Sequence, residues 1–265
     1  LLKVRIECHI LTHYPKSIDL SKKITSQEAR LADAQRAAVN IDDIVATLVE
    51  QIAIEARSSE YVEEESGVSA RLTITAFENL NSAVERRMIL NGEKEGYARV
   101  GDMVGDVPSI TGKIELVYEG EQEGPAIVAQ KLISKAIRTV FVDTFPNPEK
   151  LKRNAPDNPY RDITKWFGRG HTLDLLNDLS ASEYRTALDG VPGLSALVKD
   201  YYPKVDKEKH YLLMEFILHG LAEYSLLGKA SLESGTQFKD LLSGMLNMPN
   251  MDDEEDDFGG YYENR

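Results

Sequence analysis

Cysteine is nearly absent from the sequence, which contains only Cys8. A single cysteine excludes an intrachain disulfide, and a zinc site would need other ligands. The sequence also lacks an apolar run near the roughly 18 residues that a membrane-spanning helix needs. It has no signal-peptide layout at its start and no initiator methionine. These absences favour a cytoplasmic protein, and they predict a chain that begins inside a longer or processed one.

Basic residues are outnumbered as well. The 265 residues include 44 acidic and 31 basic side chains, which gives a formal net charge of -13. This charge argues against non-specific binding to nucleic acid or anionic membranes, because phosphate groups are repelled over most of the surface. Hydrophobic residues make up 42% and charged residues 28%, which is typical of a globular protein with a buried core.

The motifs of several common catalytic sites are missing. The sequence has no G-x-x-x-x-G-K-[ST] phosphate loop, no H-E-x-x-H and no G-x-S-x-G. The five histidines are not spaced as a ligand set, so we predict no metal site in this chain. They are His9, His13, His171, His210 and His219. Without the phosphate loop, the chain is not expected to hold ATP or Mg²⁺ by itself.

Hydrophobic periodicity predicts a mainly α fold. The alternation of Val4, Ile6, Cys8 and Ile10 with polar residues predicts one strand over residues 1–14, whose partners must come from elsewhere. A first helix is expected to begin near Ser26. Apolar spacings of three and four predict further helices over residues 41–57, 70–90, 127–145, 160–167, 173–179, 182–188, 194–201, 210–227 and 238–246. The six consecutive acids at 252–257 predict a disordered tail from residue 247.

Arg71 is the residue whose position points most clearly to chemistry. It falls in the first turn of the helix predicted over 70–90. A cation there opposes the helix macrodipole, at a cost of about a few tenths of a kcal/mol, so a helix built for stability alone would carry Asp or Glu. Two interpretations stay open: an ion pair with the acids at 63–65, or an arginine held at a helix tip to meet a phosphate.

The stretch around Arg71 resembles the lid helices of the magnesium-chelatase and MoxR group of AAA+ ATPases. The similarity rests on Ser66-Gly67-Val68-Ser69-Ala70-Arg71, Ala83-Val84-Glu85-Arg86-Arg87, Asn91-Gly92 and Arg99-Val100-Gly101-Asp102. In that group a serine-x-arginine at the start of a lid helix presents a sensor arginine to the γ-phosphate of ATP. The resemblance therefore implies that Arg71 and Ser69 belong to a nucleotide-binding site, with ATP and Mg²⁺ bound in the intact protein.

The beginning of the sequence is similar to the segment that joins the last strand of the AAA+ core to the lid. The similarity is carried by Arg5-Ile6, Thr12-His13-Tyr14-Pro15 and Ser26-Gln27-Glu28-Ala29. In the family this segment begins with Asp-Arg, and its arginine is a finger inserted into the neighbouring subunit's site. Here Val4-Arg5 stands in that place. Two roles stay open for Arg5: a trans-acting finger, or a strand arginine facing solvent.

The resemblance implies four parts, with a boundary near Gly105, Pro108 and Gly112. Residues 1–20 would end the AAA+ core, 21–106 would form the helical lid, 107–246 an all-helical extension, and 247–265 the acidic tail. Residues 109–145 and 238–242 resemble the extension of a bacterial subgroup that is named magnesium chelatase for its ATPase core.

The implied function is the carboxy-terminal part of a ring-forming ATPase that couples ATP hydrolysis to remodelling of a partner protein. Its partners would be the AAA+ core of the same protein, neighbouring subunits of a hexameric ring, and the remodelled protein. Nucleic acid and a membrane span are not expected. The alternative is a non-catalytic helical scaffold or adaptor that acts without nucleotide.

Overall fold

A computed structural model of the chain describes residues 13–152 and 155–241, and its fold is mainly α, as predicted. The strand predicted over residues 1–14 lies outside the described residues except at His13 and Tyr14, which do not belong to a strand, and the tail predicted from residue 247 lies outside them entirely. The helices are α1 (Ile18–Glu28), α2 (Asp33–Ala38), α3 (Asp43–Arg57), α4 (Arg71–Leu90), α5 (Val107–Thr111), α6 (Tyr118–Glu123), α7 (Pro125–Thr144), α8 (Arg161–Phe167), α9 (Ala181–Asp189), α10 (Leu194–Tyr201) and α11 (Lys207–Glu223). Among the described residues, no helix is both long enough and apolar enough to span a membrane.

Helix α3 lies in the centre of the described structure and confirms the helix predicted over residues 41–57. Its N-cap Asp42 accepts a hydrogen bond from the Ile44 amide at 3.0 Å, which satisfies one of the free amides of the first turn. Most of its circumference is buried, and it packs against α7, α4 and α1. The first helix differs from its prediction, because α1 begins at Ile18 with Ser17 as the N-cap instead of near Ser26.

The carboxy-terminal part contains a three-stranded antiparallel sheet, so the prediction of an all-helical extension is wrong. In this sheet β5 (Gly235–Lys239) lies between β3 (Leu173–Leu176) and β4 (Gly228–Leu232). A second, two-residue parallel pair beside α4 joins β1 (Val39–Asn40) to β2 (Gly96–Tyr97).

The sheet replaces two helices that periodicity predicted, over residues 173–179 and 238–246. Leu173 and Leu175 are buried while their neighbours in β3 are exposed, which is the two-residue alternation of a strand. Leu173 pairs with Phe238, which is fully buried. The strand is therefore stabilised by a partner more than sixty residues away in the chain. Residues 242–246 of the last predicted helix lie outside the described residues.

One buried core extends through the described residues, from Ile44 on α3 to Phe238 on β5. Helices α3 and α7 share the most extensive contact, and polar side chains reinforce it. Glu55 accepts a hydrogen bond from the Thr139 hydroxyl at 2.8 Å and lies 3.2 Å from the Lys135 ammonium. This core continues across the boundary predicted near residues 105–112, and the division into lid and extension stays a prediction.

Candidate functional site

Arg71 begins α4 and follows a loop, residues 66–70, whose backbone is closely determined. Gly67 has a φ of +67°, in the left-handed region that favours glycine. The Ser69 hydroxyl accepts a hydrogen bond from the Arg71 amide at 3.2 Å. Ala70, at the N-cap, offers no side-chain cap. The serine therefore supplies the acceptor that a helix start needs, from one position earlier.

The Arg71 side chain is exposed and contacts none of the acids near it. Within residues 13–152 and 155–241 it forms no ion pair and no side-chain hydrogen bond. Its backbone carbonyl accepts a hydrogen bond from the Thr75 hydroxyl at 2.7 Å. Of the two interpretations left open by the sequence, the ion pair with the acids at 63–65 is not formed. The guanidinium faces solvent at the positive end of the α4 dipole.

Tyr14 contacts the same loop from the segment before α1. Its hydroxyl accepts a hydrogen bond from the Val68 amide at 3.0 Å and lies 2.8 Å from where a Cβ at Gly67 would stand. The Arg57 guanidinium lies 4.0 Å from the centre of the Tyr14 ring, within the range of a cation–π contact. The segment before α1 therefore touches the loop that leads to Arg71.

A buried carboxylate fixes the first turn of α4 against α1 and α3. Glu50 on α3 is 2% exposed. It accepts hydrogen bonds from the Ser21 hydroxyl and, at 2.5 Å, from the Thr25 hydroxyl. Thr25 in turn lies 2.8 Å from the hydroxyl of Thr73, two residues after Arg71. Because a buried carboxylate is costly unless it is hydrogen-bonded, this network favours one position of α4 relative to α1.

The other end of α4 carries a buried ion pair between Arg87 and Asp102. Arg87 also donates to the Tyr97 carbonyl at 2.6 Å, and Asp102 accepts from the Arg99 amide at 2.7 Å. These further hydrogen bonds matter because a buried pair holds only when its remaining polar atoms are satisfied. Arg87 and Asp102 both lie in the motifs on which the family resemblance rests.

Glu215 on α11 binds the segment after α4 to the carboxy-terminal part. Its carboxylate accepts hydrogen bonds from the amides of Val100 at 2.8 Å and Gly101 at 3.0 Å, and from the Tyr184 hydroxyl at 2.9 Å. Burial raises the pKa of Glu215, but His219 and the two backbone amides outweigh it and hold the pKa below its ordinary value. Glu215 is therefore ionised at neutral pH.

Surface contacts join α4 to the same region. Arg86 forms an ion pair with Asp178 at 2.6 Å, and the side-chain amide of Asn91 donates a hydrogen bond to the backbone carbonyl of Asp178 at 3.0 Å. Arg99 donates to the Leu179 carbonyl at 2.8 Å. Together with Glu215, these contacts connect the end of α4 to the loop after β3 and to α11.

The structure describes two of the three predicted site residues. Arg71 and Ser69 lie together at the start of α4, whereas Arg5 lies outside the described residues. Sequence reasoning missed the roles of Arg57 and Glu50, whose partners lie 11 to 43 positions away in the chain. In the described part of the chain, no group of three or more acidic, histidine or cysteine side chains is arranged to hold a metal ion.

No protein-family model, curated protein or solved structure matches the chain. The resemblance to the AAA+ lid therefore stays a prediction, carried by the motifs around Arg71. The geometry adds a physical argument that does not depend on the resemblance: an exposed cation stands at a helix start whose backbone is fixed by Ser69, Tyr14 and Glu50.

Proposed function

We propose that the chain is the carboxy-terminal part of a ring-forming AAA+ ATPase similar to magnesium-chelatase subunit I and the MoxR proteins. In this proposal it couples ATP hydrolysis to remodelling of a partner protein. The observation that carries the proposal is Arg71, which is exposed, has no ion pair among the described residues, and stands first in a well-anchored helix.

An arginine at this position is unfavourable for the helix alone, and a phosphate would reverse that balance. A cation at an exposed helix N-terminus costs about 0.3–1 kcal/mol because the dipole is positive there. A phosphate at the same end interacts favourably with both the dipole and a guanidinium. Positive groups that meet developing charge are the main protein contribution to phosphoryl transfer. These points support Arg71 as the sensor of the γ-phosphate.

The remaining roles are those that the resemblance to the AAA+ family implies. The AAA+ core, joined in the same protein, would hold ATP and Mg²⁺, and Arg5 would act in trans on the neighbouring subunit of a hexameric ring in the cytoplasm. A change at the nucleotide would move α4 as a rigid element. Its far end would carry the motion through Asp102 and Glu215 to the carboxy-terminal part, where the partner protein binds.

The central test measures ATP turnover in the protein that includes the phosphate-binding core. We expect Arg71→Ala to lower kcat by about 10³ or more, as for other arginines that meet the transferred phosphoryl group. Thermal stability should not fall and should rise slightly, because the Arg71 side chain makes no hydrogen bond or ion pair among the described residues and a cation at a helix N-terminus is unfavourable.

Arg86→Ala is the matched control, since Arg86 is also exposed on α4 but pairs with Asp178. We expect its turnover to stay within about twofold of the parent, as befits the loss of a surface ion pair. Turnover within about twofold for Arg71→Ala as well would overturn the sensor assignment, because an arginine that meets the phosphate is worth far more.

The Arg5 assignment is tested by mixing subunits. Arg5→Ala subunits and subunits with an inactivated phosphate loop would each be inactive alone, but a mixed ring contains sites with an intact loop and an intact finger. Recovery of turnover on mixing supports action in trans. Inactive mixtures, with rings assembled, would contradict it.

The scaffold alternative predicts that the protein does not bind ATP. Calorimetry with the full-length protein, including the region encoded upstream of this chain, should then show no ATP binding. The absence of an in-frame G-x-x-x-x-G-K-[ST] upstream would favour the scaffold over the ATPase.

A further inference from the structure

A basic surface surrounds α8, although the chain as a whole is strongly acidic. Residues 149–171 contain six basic and three acidic side chains, against 31 and 44 for the whole sequence. Arg161 and Lys165 lie one helical turn apart on α8, and so project from the same face. Arg169 follows in the next turn, where its amide donates to the Trp166 carbonyl at 3.2 Å. We call Arg161, Lys165 and Arg169 the basic face.

The three side chains of the basic face form no ion pair and no side-chain hydrogen bond within residues 13–152 and 155–241. Asp162, the carboxylate within α8, is exposed and forms no ion pair with these side chains among the described residues. Asp174 on β3 accepts a hydrogen bond from Gln237. The basic face is therefore available to an acidic ligand.

The described chain ends beside this surface. Strand β5 leads to Asp240, whose carboxylate lies 3.9 Å from where a Cβ at Gly168 would stand, one residue before Arg169. Eleven residues then separate Asp240 from Asp252, the first of six consecutive acids. An extended segment of that length reaches at most about 40 Å. Because α8 and the turn after it span only about 12–15 Å, the acids can reach every residue of the basic face.

We propose that the acidic run at residues 252–257 binds the basic face of α8 in the same molecule. The two surfaces have opposite charge, and the chain connects them over a distance that its length covers easily. Tethering also gives the acids a high effective concentration at the face, so weak ion pairs suffice for occupancy. Such contacts are screened by salt. The inference is independent of the proposed ATPase function.

Trp166 provides a built-in reporter of this contact. It is the only tryptophan in the sequence, it follows Lys165 directly, and its ring stacks on His171 with the centroids 4.7 Å apart. Iodide is an anion, so it is drawn to the basic face when that face is open and repelled when acids cover it. Quenching of Trp166 fluorescence by iodide therefore measures whether the acidic run is in place.

The experiment compares the 265-residue parent with a variant whose six acids at 252–257 are changed to Asn or Gln. At low salt we expect the neutralised variant to show an iodide quenching constant about twofold higher, because Debye screening is then weakest. At roughly 0.5 M salt the difference should disappear. Acrylamide, which is neutral, distinguishes a change of charge from a change of burial at Trp166.

A control with the same net charge isolates the position of the acids from their number. Its six substitutions to Gln are made at exposed glutamates outside the tail. These are Glu28, Glu60, Glu64, Glu65, Glu119 and Glu121. We expect this control to quench as the parent does. An equal rise in both variants would overturn the proposal, because overall charge alone would then explain it.

A third variant tests the basic face itself. With Arg161→Gln, Lys165→Gln and Arg169→Gln in place, neutralising the tail should no longer change quenching, because the two sets of charges act as one interacting pair. A tail effect that persists in this background would show that the acids act elsewhere and would refute the proposal. A tail effect that grows with protein concentration would show binding between molecules, and would refute binding within one.

Discussion

Replacing Glu215 by Gln tests the main buried polar contact between α11 and the segment after α4. The Glu215 carboxylate accepts hydrogen bonds from two backbone amides and the Tyr184 hydroxyl, and the residue is 2% exposed. Gln keeps one acceptor oxygen, but its amide group would face a donor. Hydrogen bonds to a charged group contribute about 1.5–3 kcal/mol each, so the loss should be about 3 kcal/mol.

The free energy of unfolding would be measured by urea denaturation at pH 7, followed by far-UV circular dichroism. Glu208→Gln is the matched control, since Glu208 lies two turns earlier on α11 and pairs with Arg185, with both side chains 25% exposed. A partly exposed pair of this kind contributes about 1 kcal/mol or less. The two substitutions should therefore differ by about 2 kcal/mol.

The pH dependence provides a second measurement with a definite sign. The folded pKa of Glu215 is lowered, so its stabilisation is present above the unfolded pKa, about 4.3, and is lost as pH falls through the folded pKa. Between about pH 5 and 3 the parent should lose stability more steeply than the Glu215→Gln variant. Equal slopes, or a cost no larger than that of Glu208→Gln, would refute this account of Glu215.

Three other predictions concern single positions. Asp106 is buried without a hydrogen bond among the described residues, and burial followed by the charge of Asp102 raises its pKa. The parent therefore loses free energy of unfolding as pH rises from about 4 through the folded pKa of Asp106, whereas the Asp106→Asn variant does not. In this pH range the stability of the variant relative to the parent should grow by about 1.4 kcal/mol per pH unit. A constant difference in pH-dependent denaturation would contradict this. Gly220→Ala places a Cβ 2.0 Å from the Phe141 ring and should lower stability by about 3 kcal/mol in urea denaturation; a loss under about 1 kcal/mol would count against it. Gly67→Ala, at a φ of +67°, should cost about 1–2 kcal/mol by the same assay, and an unchanged midpoint would show that the loop rearranges.

The central helices could be predicted because their signal is local. In α3 and α4, apolar residues recur with the helical period over fifteen and twenty residues, and a polar N-cap or Asn-Gly marks an end. The short elements lack that length. Leu173, Leu175 and Leu176 fit a helix as well as a strand, and pairing of β3 with β5 decides between them. The two-residue turn between β4 and β5, Glu233-Ser234, is not one of the Asn-Gly or Asp-Gly pairs that signal a hairpin in a sequence.

The candidate site could be predicted only at its centre. Arg71 and Ser69 stand in one short motif, and a cation at a helix start is unusual on physical grounds alone. The residues that fix the motif are distant in sequence: Tyr14 lies 54 positions before Val68, and Thr25 lies 48 before Thr73. Contacts of that range depend on how helices pack, and no local pattern specifies them.

The face that α3 shares with α7 determines how the chain can be divided. A fragment ending at residue 106 would expose the face of α3 that packs against α7. Each buried aliphatic side chain uncovered there would forfeit about 1.5–3 kcal/mol, and a handful of such losses equals the whole stability of a typical domain, about 5–15 kcal/mol. The segments before and after residue 106 should therefore melt in one cooperative step, and neither would survive transplantation to another protein without the other.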